Sequence, residues 1–319
     1  MRLLVYLPLL IPALAAIAAR PLTAWLEPRA ATWLLTAAAV ALAGCSTVAL
    51  ALLAASAAAQ IPALATLGDY SRSVMHRADP TPAAAGALAA VVLTAVAVAV
   101  AVAFRHRARA LAESYRRAAR LHDNGAVVVV RGSAVEAYAL PGWPGRIVVS
   151  GRLFQELDEP GRAALLAHER AHLAGRHHLF TTVAHLAAAA NPVLLPLARA
   201  VDYTVERWAD EHAARVTGDR RLVAMTIGRV AMLATPGRRP AATLGMVLAR
   251  SRGVARPRRI SVAWAGPVPR PVAALLGPPP RTRALLMAAA VLIVLLTGAS
   301  AVQAARDLHA LLELARAGG

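Results

Sequence analysis

A histidine–glutamate–histidine group carries the clearest chemistry in this sequence. His168, Glu169 and His172 stand together in the pentapeptide His-Glu-Arg-Ala-His. On a helix, positions i and i+4 share one face, so both imidazoles can reach a single divalent ion, and neutral imidazole suits zinc. Glu169 is offset by about 100° and can contact a water rather than the ion itself. A water activated by zinc beside a carboxylate base is the chemistry of metal-assisted peptide hydrolysis.

A catalytic zinc site also needs a third protein ligand and an open fourth position. Glu206 is the candidate, because a carboxylate from a second helix would complete a His₂Glu set. Asp210, one helical turn later, is placed to hydrogen-bond the distal nitrogen of a ligating histidine. Asp202 and Glu211 fit less well because they do not share a face with both Glu206 and Asp210. The alternative for Glu206 and Asp210 is an exposed helix face with surface ion pairs.

The element that positions the histidines is predicted to be a helix from Glu159 to about Ala174. Asp158 is suited to be its N-cap, and Gly175 can end it. His177 and His178 follow directly and are expected to be solvated turn residues. A small strand element precedes this helix, because short β-branched runs alternate with turn residues at 125–131, 135–140 and 146–150.

Two further helical segments follow the histidine helix. Leu179–Ala198 is predicted to be a buried or membrane-interface helix that breaks at Asn191–Pro192, and His185 within it is expected to be buried and hydrogen-bonded. Val201–Val216 is predicted to be the helix that carries Glu206. The histidines and Glu206 therefore have to be brought together by the packing of separate elements.

The composition places this chemistry in a membrane protein. Apolar residues make up 58% of the 319 residues and the mean hydropathy is +0.53, which is too apolar for an ordinary soluble domain. Four uncharged or nearly uncharged segments are long enough to span a bilayer, at about 3–19, 30–59, 80–104 and 284–305. The alternative for the first segment is a cleaved signal peptide. Cys45 is the single cysteine, which excludes an internal disulfide and a thiolate zinc cluster.

Charge indicates the orientation of these spans. The net charge is +18, and Arg is concentrated at 105–120 and 236–283, next to apolar segments. Positive loops favour the cytoplasmic side, and no nucleic-acid motif accompanies them, so no direct binding of nucleic acid is expected. We therefore expect a membrane region at 1–104, a cytoplasmic metallopeptidase domain at 105–283, a last span at 284–305 and a short extracytoplasmic tail at 306–319.

The central part of the chain resembles a known group of membrane metallopeptidases. It is similar to the BlaR/MecR-type proteins, metallopeptidase family fifty-six, and more distantly to the HtpX and CAAX-prenyl-protease group. The segments that carry the resemblance are Tyr138–Gly142, Arg146–Ser150, Leu165–His172, Asn191–Pro192, Glu206–Asp210 and Leu276–Pro280. Arg170 departs from the pattern because zincins usually have an uncharged residue there.

The resemblance implies specific roles. It implies one Zn²⁺ held by His168, His172 and Glu206, and Glu169 as the catalytic base. It also implies that Ala137, Tyr138 and Ala139 form a strand edge to which the substrate backbone adds, as unpaired edge groups allow. It further implies a bacterial cell membrane and a winged-helix repressor as a partner. Antibiotic sensing is not expected, because the sensors' penicillin-binding domain has no counterpart after Ala305.

The fold class that follows is a mostly α membrane protein with four transmembrane helices and a cytoplasmic zincin-like domain containing a small β element. The expected activity is zinc-dependent endopeptidase cleavage of a protein substrate, either a transcriptional regulator or a membrane protein. The alternative is a catalytically silent signalling or scaffold protein that retains the zinc site.

Overall fold

The computed structural model describes residues 6–59, 61, 83–121, 125–131, 135–233, 270–278 and 283–317. Within these ranges the fold is mostly helical, as predicted. Four helices are long and apolar enough to cross a membrane: α1 (Leu7–Trp25), α2 (Pro28–Ala59), α3 (Ala83–Arg120) and α10 (Ala284–Ala317). By their length and composition these four helices indicate a multi-pass membrane protein.

All four helices extend beyond the predicted spans, α2 by only two residues at its start. α1 continues past Ala19 to Trp25, and α10 continues past Ala305. α3 continues through the Arg-rich run to Arg120, because Ala, Arg and Glu are good helix formers and the run contains no Gly or Pro. The predicted first residues of two spans, at 3–5 and 80–82, lie outside the described residues, as does most of the Arg-rich segment 236–283.

A three-stranded sheet follows α3. Its strands are β1 (Val127–Val130), β2 (Ala137–Leu140) and β3 (Arg146–Ser150), in the spatial order β1-β3-β2. β1 pairs with β3 in parallel and β2 pairs with β3 antiparallel. The strand element predicted from sequence is therefore confirmed, and β2 lies at an edge of this sheet.

The remaining helices surround the sheet and complete the domain. They are α4 (Gly151–Glu156), α5 (Glu159–Ala174), α6 (His177–Ala190), a 3₁₀ turn (Pro192–Leu194), α7 (Leu195–Thr217), α8 (Arg220–Leu233) and α9 (Arg270–Leu276). The predicted break at Asn191–Pro192 is confirmed. There the Asn191 side chain accepts a hydrogen bond from the backbone N–H of Val193 at 3.1 Å.

α6 and α7 form a hairpin that packs along the membrane helices. Near its base, the hydroxyls of Thr204 and Thr32 lie 3.0 Å apart, and near its tip the amide of Asn191 donates to the Ser46 hydroxyl at 3.0 Å. Ser46 is about halfway along α2. The hairpin therefore reaches deep into the bundle, and α6 runs in the same direction as α2.

The sheet and α5 lie at one end of the bundle. Arg283, just before α10, stacks over Trp25 at the end of α1, with 5.8 Å between the guanidinium carbon and the ring centroid. The end of α3 packs on the sheet through Ala118, Leu140 and Val148. The end of α1, the start of α2, the end of α3 and the start of α10 thus share the side that carries His168.

Candidate metal centre

Local sequence signals fix the helix that carries the two histidines. Asp158 caps α5 by accepting a hydrogen bond from the backbone N–H of Gly161 at 3.1 Å, and Pro160 lies in the first turn. α5 ends at Ala174, with Gly175 as its C-cap, as predicted. The Nε2 atoms of His168 and His172, at positions i and i+4, lie 3.1 Å apart.

Small side chains let α7 approach α5 closely. Ala164 and Ala167 on α5 pack against Ala213 and Ala214 on α7, and all four are buried. A methyl group on each side keeps the two backbones near one another. Glu206 on α7 can therefore reach the two imidazoles.

The structure brings the three predicted zinc ligands together. Oε2 of Glu206 lies 3.6 Å from Nε2 of His168 and 3.7 Å from Nε2 of His172. All three donor atoms lie within 4.8 Å of one another, and they form a group able to hold a metal ion. The three side chains come from two helices that are separated along the chain by α6.

The donor set fits zinc by two observations. Bonds of about 2.0–2.2 Å in a tetrahedral site place ligand atoms about 3.3–3.6 Å apart, close to the distances found here. Oε1 of Glu206 is buried and has no hydrogen-bond partner in the described part of the protein. A buried carboxylate oxygen without a partner is costly, and a cation would satisfy it. Two imidazoles and one carboxylate are a donor set that zinc accepts.

Asp210 occupies the position predicted for a residue that orients a ligand. Its Oδ1 lies 2.9 Å from Nδ1 of His168, and its side chain is only 4% exposed. This is hydrogen-bonding distance, although the angle at the ring N–H is unfavourable in this structure. A proton on Nδ1 of His168 leaves the lone pair of Nε2 free for a metal.

His177 is a site residue that the sequence did not predict. Instead of being a solvated turn residue, it is 2% exposed, and its Nδ1 lies 3.0 Å from Nδ1 of His172. Burial, and then the neighbouring His172, lower the pKa of His177 to about 3, so its ring is neutral and its Nδ1 can accept a hydrogen bond from the Nδ1–H of His172. Nε2 of His172 is then the free donor.

The bend between α5 and α6 explains how His177 reaches His172. A Cβ at Gly175 would lie 2.3 Å from Nε2 of His177, so only glycine leaves room for the ring. Arg176 has a φ of 48°, a left-handed conformation that is uncommon outside glycine, and it reverses the chain there. The glycine turn was predicted only to end the helix, and it also brings the His177 side chain back onto the site.

Glu169 lies beside this group and is 4% exposed. Burial raises the pKa of its carboxyl, the two nearby histidines lower it in part, and Glu206 raises it further. The backbone of Ala139 also hydrogen-bonds the carboxylate and favours its charged form. A carboxylate held in this way is suited to take up a proton and release it again.

The donor residues strongly influence one another's pKa values. Burial disfavours a proton on His168, but the nearby carboxylates of Asp210, Glu206 and Glu169 outweigh burial and raise its pKa well above the usual value. Burial would raise the pKa of Glu206, yet His172 and His168 lower it to about 2. Glu206 therefore carries a negative charge at all physiological pH values and would attract a cation.

β2 presents an open edge next to Glu169. Both backbone groups of Glu136 point toward β3, because its carbonyl accepts from the N–H of Ser150 at 2.9 Å and its N–H donates to the Ser150 hydroxyl at 3.2 Å. Along an antiparallel strand, the backbone N–H and C=O groups of successive residues point to alternate sides, so those of Ala137 and Ala139 point away from β3 to the other edge. That edge faces the histidine helix.

An apolar cavity of about 180 Å³ adjoins the site. Besides Ala137, Ala164 and Leu165, its wall is a stripe of α8 residues at helical spacing. Its charged or titratable lining residues are four members of the site: His168, Glu169, Glu206 and Asp210. The α8 residues that line it are Val223, Thr226, Ile227, Val230 and Ala231.

Two histidines and a glutamate contributed by two packed helices, with a carboxylate next to the first histidine, define a zinc metallopeptidase of the gluzincin type. Residues 101–187 match Peptidase family M48, a range that begins in α3 and includes the His-Glu-Arg-Ala-His segment. Over this segment the chain is similar to the M48 zinc metallopeptidases, and the three donor atoms nearby form a candidate zinc site. The third donor, Glu206, lies beyond the matched range and is supplied by the packing of α7.

The match supports the likeness to the HtpX-type proteases, the more distant of the two resemblances drawn from sequence. The BlaR/MecR likeness and the repressor partner stay predictions. No curated protein and no solved structure matches this chain.

Proposed function

We propose that this protein is a membrane-embedded endopeptidase that holds one zinc ion with His168, His172 and Glu206 and cleaves protein substrates at the membrane surface. The observation that carries the proposal is the convergence of these three donor atoms beside the buried carboxylate of Glu169. When bound, zinc supplies Lewis-acid polarisation of the scissile carbonyl and of water.

Glu169 acts as the general base and then as the general acid. It accepts a proton from the attacking water and delivers it to the leaving amine. Its raised pKa brings the carboxyl closer to the operating pH, which favours both transfers. Asp210 and His177 act as positioning residues, because each contacts the distal nitrogen of one histidine and so directs the Nε2 lone pair toward the site.

The open edge of β2 is the proposed substrate-binding strand. A substrate segment pairs there with the outward backbone groups of Ala137 and with the carbonyl of Ala139, whose N–H already contacts Glu169, and Tyr138 belongs to the same strand. Pairing at this edge brings the substrate backbone alongside Glu169, which already contacts the backbone of Ala139. The strand thereby fixes the direction in which a substrate crosses the site.

The cavity lined by α8 supports a preference for substrate side chains. Apart from the site residues themselves, the described residues that line it are apolar or small, with Thr226 as the one polar side chain among them. A cavity of about 180 Å³ has room for one aliphatic side chain of the size of Leu or Ile. We expect an aliphatic residue next to the scissile bond, since a charged side chain there would be desolvated without a partner.

Membrane proteins are the substrates that the location favours. Thr204 contacts Thr32 in the second turn of α2, and Glu206 is only two residues further along α7. The site therefore lies close to the start of a membrane-spanning helix and can reach loops and unfolded segments near the bilayer. The Arg-rich end of α3 on the same side supports a cytoplasmic orientation for the domain at 105–283.

The test compares Glu169→Gln with the matched control Glu159→Gln in cells. Both substitutions remove one carboxylate from α5, but Glu159 is exposed in the first turn, far from the histidines. Mass spectrometry of newly formed protein termini should lose a set of cleavage products in Glu169→Gln only. If Glu169→Gln kept its full biological activity, the catalytically silent scaffold would be supported instead. If the lost products came from a soluble regulator, that regulator would replace membrane proteins as the substrate class.

A further inference from the structure

A second cavity, of about 740 Å³, lies between α2, the end of α5, the start of α6, and α7. It shares no lining residue with the apolar cavity beside the metal centre. Among the described residues, three arginines line it, Arg29, Arg176 and Arg215, and no acidic residue does. In the described part of the chain, no carboxylate lies within ion-pair distance of any of the three. The cavity is therefore suited to an anion.

The lining changes from charged to apolar along two parallel helices. On α2, Arg29 is followed by Trp33 and Thr36 on the same face, about 10 Å further along the axis. On α6, Leu179 and Val183 follow Arg176 in the same direction. Both helices run from the metal-centre side into the bundle, so the charged groups lie at the mouth and the apolar groups lie deeper.

One polar atom in the deeper part lacks a partner. Thr36 is 8% exposed, and its hydroxyl has no hydrogen-bond partner among the described residues. Since Thr36 lines the cavity, an oxygen-bearing ligand would satisfy this hydroxyl. The deeper part thus combines one hydrogen-bonding position with an apolar surface.

The position of the cavity points to the bilayer as the source of the ligand. Trp33 is 57% exposed and Leu179 is 42% exposed, although both lie on elements that pack in the membrane bundle. Tryptophan and arginine at the end of a spanning helix are typical of the interface between headgroups and acyl chains. A soluble anion would use the arginines but would leave this apolar surface without a partner.

We propose that this cavity binds an anionic phospholipid of the leaflet on the metal-centre side. Its phosphate lies among Arg29, Arg176 and Arg215, and a glycerol-ester oxygen accepts a hydrogen bond from Thr36. The acyl chains pack along the exposed face of α6. An anionic headgroup is selected over a zwitterionic one, because a choline group would bring a cation among the three guanidinium groups.

The experiment is native mass spectrometry of the full chain in detergent, titrated with phosphatidylglycerol or phosphatidylcholine of identical acyl chains. We expect the wild type to bind phosphatidylglycerol more tightly. Arg29→Gln and Arg215→Gln should each weaken this binding about fivefold, and together about 25-fold, with little effect on phosphatidylcholine. Thr36→Val, which keeps the shape of the side chain, should weaken it by a factor of about 3–10.

Arg109→Gln is the matched control. Arg109 is an exposed arginine of α3 that does not line the cavity, so its replacement removes the same charge from the same side of the bundle. It should change the phosphatidylglycerol affinity less than twofold.

Three results would overturn the proposal. The wild type could bind both lipids equally, the Arg29→Gln/Arg215→Gln protein could keep its preference, or Arg109→Gln could weaken binding as much as Arg29→Gln does. Displacement of the lipid by millimolar glycerol phosphate would show that a soluble anion is the ligand. If the double variant does not fold, the proposal is tested by the affinities of the wild type and of Thr36→Val for phosphatidylglycerol and phosphatidylcholine.

Discussion

Replacing Asp210 by Asn should weaken zinc binding without removing any ligand. The carboxylate is almost fully buried and lies 2.9 Å from Nδ1 of His168, so it directs the ring and makes its Nε2 a stronger donor. An amide of the same shape removes the negative charge. Residues in this position typically contribute about 10- to 100-fold in metal affinity, which we take as the expected loss. The assay is competition for zinc between the purified full chain and a chromophoric chelator.

The same helix offers a matched control for this experiment. Asp202 also contacts a histidine at 2.9 Å, His185, but this pair is more exposed and lies outside the metal centre. Asp202→Asn should leave zinc affinity unchanged. Equal affinities for the wild type and Asp210→Asn would refute the assigned role of Asp210. Equal losses in both variants would show that any Asp–His contact on α7 matters only for folding.

Two further predictions concern the reaction itself. An ordinary glutamate has a pKa of about 4.3, and the pKa of Glu169 is raised above its ordinary value. Glu169 therefore takes up a proton at a higher pH, and kcat/KM should fall on the acid side with an apparent pKa above about 4.3. A pH profile with a fluorogenic peptide checks this, and an acid limb at or below about 4.3 would contradict it. Val230→Phe should fill the cavity lined by α8, and kcat/KM for peptides with Leu next to the scissile bond should fall about tenfold relative to peptides with Ala. An unchanged ratio would mean that the side chain binds elsewhere.

Much of the site was predictable from spacing, because helical geometry is local. His168 and His172 share a face by their i, i+4 spacing, and the capping signals at Asp158 and Gly175 set the helix bounds within a residue. The pairing of Asp210 with a histidine followed from its position one turn after Glu206. These features depend on a few neighbouring residues, which the sequence displays directly.

The role of His177 could not be read in the same way. It depends on the left-handed conformation of Arg176 and on the missing side chain of Gly175, which together turn the ring back onto His172. The spacing of residues in the sequence does not predict such a reversal of the chain. One usable signal was present, however: a glycine at the end of a metal-binding helix, followed within two residues by another titratable side chain, indicates a possible close approach.

The membrane segments were predicted in number but not in extent. Hydropathy detects an uncharged stretch, whereas a helix continues wherever propensity and packing allow, as α3 does through its arginines to Arg120. The depth of the α6–α7 hairpin depends on contacts between residues far apart in sequence, such as Asn191 with Ser46. The cavity with its three arginines arises from the same long-range packing.

Zinc content per chain tests the central assignment most directly. Purified wild type and Glu169→Gln should each contain about one zinc per chain by elemental mass spectrometry, because Glu169 is not among the three donors. Glu206→Ala should contain almost none after the same purification. Full zinc occupancy in Glu206→Ala would contradict the assignment, since it would mean that α7 contributes no ligand to the metal.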